Sequence, residues 1–350
     1  METLTLLKQL SEAVGPSGRE DEVREKIKTL WQPLVDDLRT DAMGNLIALQ
    51  RGAASPPRSL MLAAHMDEIA LIVTKIEKGF LHVHRIGGVD RRALLGLDVT
   101  VHGRQDLPGV IGTRPPHVLS VEERKKIVPW ENLFVDVGLP EDEVKAQVDV
   151  GDPVSIRRPL LELKHKRAAG KAMDNRASVA AVTLALETLR QMEHAWDVYA
   201  VATVQEEVGL KGAITSAYGV DPQMTVALDV TFAQQAGDSD PGAFELDKGP
   251  TIGIGPNFHP QVVERLRETA RQWEIPYQIE PLPRSSGTDA WGIQVAREGI
   301  PTGLLSIPIR YMHQPIETVA LQDVERTGRL VAAFIGALPA DYKPRWEDEL

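Results

Sequence analysis

At 350 residues the chain exceeds a typical single domain, so it can bury a sizeable core in one large domain or two smaller ones. An apolar content of 43% with charges mixed along the sequence fits a soluble globular protein, and a net charge of -11 disfavours generalised binding to a phosphate backbone. With zero cysteines there is no disulfide framework, thiolate metal site or thiol nucleophile, so any metal must be held by His, Asp and Glu.

The opening "METLTLLKQLSEAVG" mixes acids with leucines, and no apolar run approaches the roughly 20 residues that span a bilayer. The expectation is a cytoplasmic protein with neither membrane nor nucleic acid as a partner. The stretch from "LTLLKQL" to "LWQPL" reads as two helices around a Gly-Pro-Ser-Gly turn, with Ser17 capping the second helix and Glu20 at its third position. That turn lacks the lysine and spacing of a phosphate-binding loop. "GNLIAL" is a strand, and "RSLMLAAHMDEIALIVTKI" gives strand, polar interruption, strand.

From Phe80 to about Leu163, short runs such as "FLHVHRI", "DVTVHG" and "LFVDVGL" alternate with Gly and Pro, which predicts a small barrel or sandwich. After Lys164, helix and strand alternate again. "NRASVAAVTLALETLRQM" is helical, "DVYAVATV", "MTVALDV", "TIGIG" and "TGLLSIPI" are strands, and amphipathic helices follow in "PQVVERLRETARQWE" and "ALQDVERTGRLVAAFIGAL". The expected fold is α/β, a mixed sheet with helices on both faces. Residues 1–70 and 165–350 form it, and residues 71–164 form a β-rich, barrel-like insertion.

Ligand-binding groups gather beyond the carboxyl ends of strands in such sheets. Metal-capable side chains fall at those places in five segments: His65 and Asp67 in "LAAHMDE", Asp174 in "KAMDNRAS", Glu206 and Glu207 in "VQEEVG", Asp229 in "ALDVT" and His313 in "RYMHQP". Two histidines with several carboxylates and no sulfur suit zinc, cobalt or manganese. If one carboxylate bridges two ions, they can share a water and lower its pKa, and a free general base completes the chemistry. One glutamate of the adjacent pair can then ligate while the other acts on the water, although spacing alone does not say which.

These segments, together with "GPSGREDEVR", "GVIGTRPPHVLSVEERKK", "ENLFVDVG" and "SSGTDA", closely resemble the M42 metallo-aminopeptidases, whose members build tetrahedral dodecameric particles. The resemblance covers nearly the whole chain in family order. It implies Asp174 as a bridging ligand, with His65 and Asp229 completing one metal site and Glu207 and His313 the other. It further implies two divalent ions per subunit, zinc with cobalt or manganese as alternatives. Glu206 becomes the general base that takes a proton from the attacking water and passes it to the leaving amine. Asp67 becomes the partner that orients His65, two residues away on one strand face. The implied reaction removes residues from the free N-terminus of peptides. The implied assembly is a homo-oligomer of dimers built through the insertion, reaching a dodecamer. Ser178, Gln314 and the form of "SSGTDA" depart from the family pattern without removing a ligand, and bear on substrate preference and loop geometry.

Taken singly, His65 reads as a core histidine, Asp174 as a helix N-cap and Asp229 as a turn residue; only their combination favours ligation. His82 and His84 repeat an HxH spacing inside the insertion, read here as one face of a strand without nearby carboxylates. His117 is open between a family-like loop residue reaching a neighbouring subunit and a plain turn residue, and "EERKK" reads as a solvated helical face. Competing readings are a related metallohydrolase such as a deacylase or carboxypeptidase, an endoglucanase built on paired acids, and a non-catalytic assembly protein.

Overall fold

The computed structural model describes residues 1–237 and 242–344. The strand Met224–Phe232 is buried along all but its last residue, as a central parallel strand covered on both faces must be. Ser59–His65 and Thr302–Arg310 run parallel to it on either side, and Asp197–Thr203 runs parallel to Ser59–His65. Antiparallel strands extend both edges. Leu46–Gln50 and Asp37–Thr40 continue one side, and Glu317–Ala320, Arg167–Gly170 and Leu161–Leu163 the other. The pair Thr251–Ile254 and Gln278–Pro281 branches from Thr302–Arg310 and completes an eleven-stranded mixed sheet.

Period-two alternation divides each central strand between two cores. Along Ser59–His65, Leu60, Leu62 and Ala64 join the larger core beneath the helices Thr3–Glu12, Asp21–Trp31, Met173–Leu189, Pro260–Gln272 and Leu321–Gly336. Met61 and Ala63 face the opposite core with the helices Lys211–Val220 and Asp289–Ile293. Helices therefore cover both faces, as expected. Each fully buried side chain such as Leu62 contributes about 1.5–3 kcal/mol by leaving water. The Trp31 indole in this core has its polar atom paired: its N–H donates to Thr183 Oγ1 at 2.8 Å.

Between two of the large-sheet strands the chain closes a six-stranded antiparallel barrel in the order Ala70–Glu77, Phe80–Ile86, Phe134–Asp136, Asp106–Gly112, Asp98–His102, Pro153–Ile156. Leu71, Val73, Leu81, Val83, Val99 and Val101 fill its interior. The next strand, Leu161–Leu163, already pairs with Arg167–Gly170 in the large sheet.

Three local expectations are corrected. Ser17 does not cap the second helix: its hydroxyl donates to Asp67 Oδ2 at 2.6 Å, and the helix begins after Glu20, at Asp21. Glu20 instead turns its carboxylate onto the backbone N–H groups of Gly18 and Gln205. His82 does have a carboxylate neighbour, Glu77, with its Nε2 3.3 Å from Oε2, and it packs edge-on against Phe134.

Candidate metal centre

The four parallel strands end along one edge, and the register there sets the spacing of the donors. His65, the last residue of its strand, lies opposite Thr203, from which the chain continues to Glu206 and Glu207. Asp229 stands near the carboxyl end of the central strand, and His313 follows Thr302–Arg310 by three residues. Asp174 arrives from the other side, at the start of the long helix, with non-helical backbone at φ -77° and ψ 101°.

Folding brings these side chains into two groups. One ligand atom from each of His65, Asp174 and Asp229 lies within 4.8 Å of the others, and so does one from each of Asp174, Glu207 and His313. Asp174 is common to both: its Oδ1 is 3.0 Å from His65 Nε2 and its Oδ2 is 3.4 Å from His313 Nε2. Glu206 stands in neither group, with Oε2 at 3.9 Å from His65 Nε2. Asp67 lies behind them, fully buried, with Oδ1 3.4 Å from His65 Nδ1. Its carboxylate also accepts the backbone N–H of Glu206 at 3.0 Å and of Glu207 at 3.2 Å, so it holds the glutamate turn as well as the histidine.

The backbone is bent to present these groups. Gln205, just before the glutamate pair, has φ 55°, and His313 has φ 61°; such left-handed backbone in non-glycine residues persists only where surroundings enforce it. At His313 the enforcing group is Glu317. Its buried carboxylate accepts the N–H of His313 at 2.8 Å and that of Asp174 at 3.0 Å, tying two donor-bearing loops together. Ser178 donates to the Asp229 carbonyl at 2.9 Å, and Asn175 Nδ2 to the Leu228 carbonyl at 2.9 Å, which locks the helix start to the central strand. Neither Glu317 nor these clamps carries a residue-type signal, because each acts on the backbone. Two barrel residues also reach the site. A Cβ on Gly88 would lie 2.4 Å from His313 Nδ1, and one on Gly87 2.9 Å from Glu207 Oε2.

Crowded buried acids distort each other's ionisation. Burial, reinforced by Asp229, Asp289 and Glu207, pushes Glu206 up to about 10 against the opposing pull of His65. Burial and Asp174 push Glu207 up to about 7, and burial raises Asp229 well above the usual carboxylate range. Conversely, the hydrogen bond to Asp174 lifts His313 to about 9 against burial. Against its own burial, His65 is raised well above its ordinary value by Glu206, Asp174 and Asp67. The opposite signs of these shifts mark a site whose carboxylates outnumber its own cationic groups. Glu207 Oε1 is buried with no hydrogen-bond partner among the described residues, an orphaned acceptor that calls for an explanation. Two oxygen and nitrogen donor groups sharing one carboxylate, without sulfur, fit divalent cations of the zinc type.

The donor cluster opens into a cavity of about 570 Å³. Among the described residues no helix is long and apolar enough to cross a membrane.

A model of the M42 glutamyl aminopeptidase family matches residues 44–330. The chain is 37% identical over 347 residues to a lysyl aminopeptidase from Pyrococcus furiosus, covering 97% of this chain and 99% of that protein. An aminopeptidase of known structure from the archaeon Desulfurococcus kamchatkensis matches with a TM-score of 0.89 at 40% identity, covering 97% of this chain and 96% of that one. The Pyrococcus horikoshii TET1 peptidase, described as assembling into a tetrahedron or a large octahedral shell, matches with a TM-score of 0.82 at 32% identity, over 96% of this chain and 100% of that one. Since these matches take in the sheet, the barrel and every donor-bearing segment, the chain belongs to the M42 glutamyl aminopeptidase family and is a hydrolase that acts on peptides.

Proposed function

We propose that the protein is an aminopeptidase dependent on two divalent metal ions, releasing N-terminal residues from peptides. The observation that carries this reading is the pair of donor groups sharing Asp174, with the uncommitted carboxylate of Glu206 beside them. Asp174 with His65 and Asp229 would hold one ion, and Asp174 with Glu207 and His313 the other. The ions, zinc with cobalt or manganese as alternatives, supply positive charge that lowers the pKa of water and polarises a peptide carbonyl.

The chain's own residues do the rest. Glu206 accepts a proton from water on its carboxylate and delivers it to the departing amine nitrogen as the C–N bond breaks. Asp67 holds the Glu206 and Glu207 backbones and steadies His65, so that base and ligands keep a fixed separation. The surplus of carboxylates around the cavity favours a free N-terminal ammonium over a blocked one.

The same proposal extends to assembly. Dimers form through residues 71–164 and build a tetrahedral dodecamer, a reading supported by the assembly described for the Pyrococcus horikoshii relative. Exposed apolar side chains in this segment, among them Phe80, Val110, Val118 and Val121, support it as well. A cysteine-free composition suits the reducing cytoplasm, to which we assign the protein.

The test is hydrolysis of aminoacyl p-nitroanilides by chelator-stripped protein, with and without zinc, cobalt or manganese, beside N-acetylated counterparts. Activity restored by metal and confined to free amines is the expected result. Glu206→Gln should retain its metal while kcat falls by about 10² or more. Activity on acetylated substrates alone would replace the reading with a deacylase or endopeptidase.

A further inference from the structure

The cavity holds one acid that the proposed chemistry does not use. Glu280, on the strand Gln278–Pro281, lines it and is 8% exposed. Each of its oxygens accepts one hydroxyl hydrogen, Oε1 from Thr231 and Oε2 from Thr251, both at 2.6 Å. Both hydroxyls are themselves buried. They satisfy lone pairs without supplying a charge.

No lysine or arginine among the described residues lines the cavity, and its two histidines, His65 and His313, are both engaged with Asp174. A buried carboxylate without a counter-charge is costly unless something else brings one. We propose that the missing charge arrives with the substrate: Glu280 selects peptides whose N-terminal residue carries a cationic side chain, lysine or arginine. This inference rests on the aminopeptidase reading above.

The distances suit it. Thr231 lies two residues beyond Asp229 on the same strand face, about 7 Å further along, and its hydroxyl touches Glu280. An extended lysine side chain covers roughly 6 Å from Cα to Nζ. A residue whose carbonyl lies at the donor groups therefore brings its ammonium to Glu280. Leu282, Leu304 and Met312 line the same cavity and give the methylene stem apolar walls. A glutamyl side chain in that position would meet a like charge. The family description and the Pyrococcus furiosus relative name opposite side-chain charges, so kinship leaves the choice to the cavity. A different role for Glu280, anchoring the α-ammonium shared by all substrates, would not discriminate among side chains.

The experiment compares kcat/KM for lysyl and norleucyl p-nitroanilides, which differ at the side chain by the terminal amine, on metal-loaded wild-type protein and Glu280→Gln. Lysine should be preferred by roughly 10- to 100-fold in the wild type, and the ratio should fall towards one in the variant. A wild-type ratio near one overturns the assignment, as does a variant in which both substrates decline equally. Silence of the wild type on every free-amine substrate overturns the aminopeptidase reading instead. Calorimetry with lysinamide and norleucinamide on the wild type then decides the pocket alone: tighter lysinamide binding upholds it, and equal affinities sink it. Neither the wild-type ratio nor the calorimetry depends on the variant folding.

Discussion

Replacing Glu317 by glutamine keeps one carbonyl acceptor and turns the other oxygen into an N–H₂ that faces a backbone N–H. Since those N–H groups belong to Asp174 and His313, the change loosens two donors at once without touching their side chains. Cation affinity should drop by about 10- to 100-fold, measured by competition with a chelating dye, while the circular dichroism stays native. Unchanged affinity would show that the backbone clamps are redundant. Residues of this kind are hard to find in a sequence. Glu317 stands four residues after His313, just beyond the quoted "RYMHQP", yet its partners are amide hydrogens that every residue possesses. By contrast, the His and Asp donors form a set whose types and strand-end positions carry meaning before any geometry is known. Ser178, met as a departure from the family pattern, turns out to brace the Asp229 carbonyl. Which of Glu206 and Glu207 joins the donor groups is set by the left-handed turn at Gln205, invisible to residue type.

Among the elements, the barrel is joined to the site by the two glycines that follow its strand Phe80–Ile86. Gly88→Ala would drive a methyl group against His313 Nδ1, and neither the ring, tied to Asp174, nor the barrel backbone can yield freely. A shift of about 1 Å at such a position costs about 10² in kcat/KM; parallel thermal unfolding should show the barrel intact, and a variant with wild-type kinetics would mean that the two parts move independently. The strands legible in the sequence are those with β-branched or apolar runs, long ones such as Met224–Phe232 and Asp197–Thr203 and short ones such as Thr251–Ile254 alike. Gln278–Pro281 and Glu317–Ala320, four residues each, were not singled out. In both, polar residues stand beside the apolar ones, Gln278 and Glu280 in one and Glu317 and Thr318 in the other, within a span too short to establish alternation. They carry Glu280 and Glu317, so two residues absent from the sequence reading lie on elements absent from it.

For the molecule as a whole, native mass spectrometry should find particles of twelve 38.5 kDa chains, and Phe80→Asp, placing a charge on the exposed apolar face of the barrel, should release smaller species. A wild-type mass of one chain would reject the assembly. The α/β alternation and the barrel-like texture of the insertion were both readable, because periodicity and Gly/Pro punctuation are local properties. Sheet order was not, since it depends on pairings between remote segments. The proposed metal ligands span the chain from His65 to His313, contributed by strands and loops that meet only when the large sheet is assembled. A nascent chain therefore lacks a complete site until its C-terminal third has been synthesised and folded. On the proposed metal-dependent reading, metal capture is a late event, a seal on the finished fold, and by mass action it would hold closed a structure that has already formed.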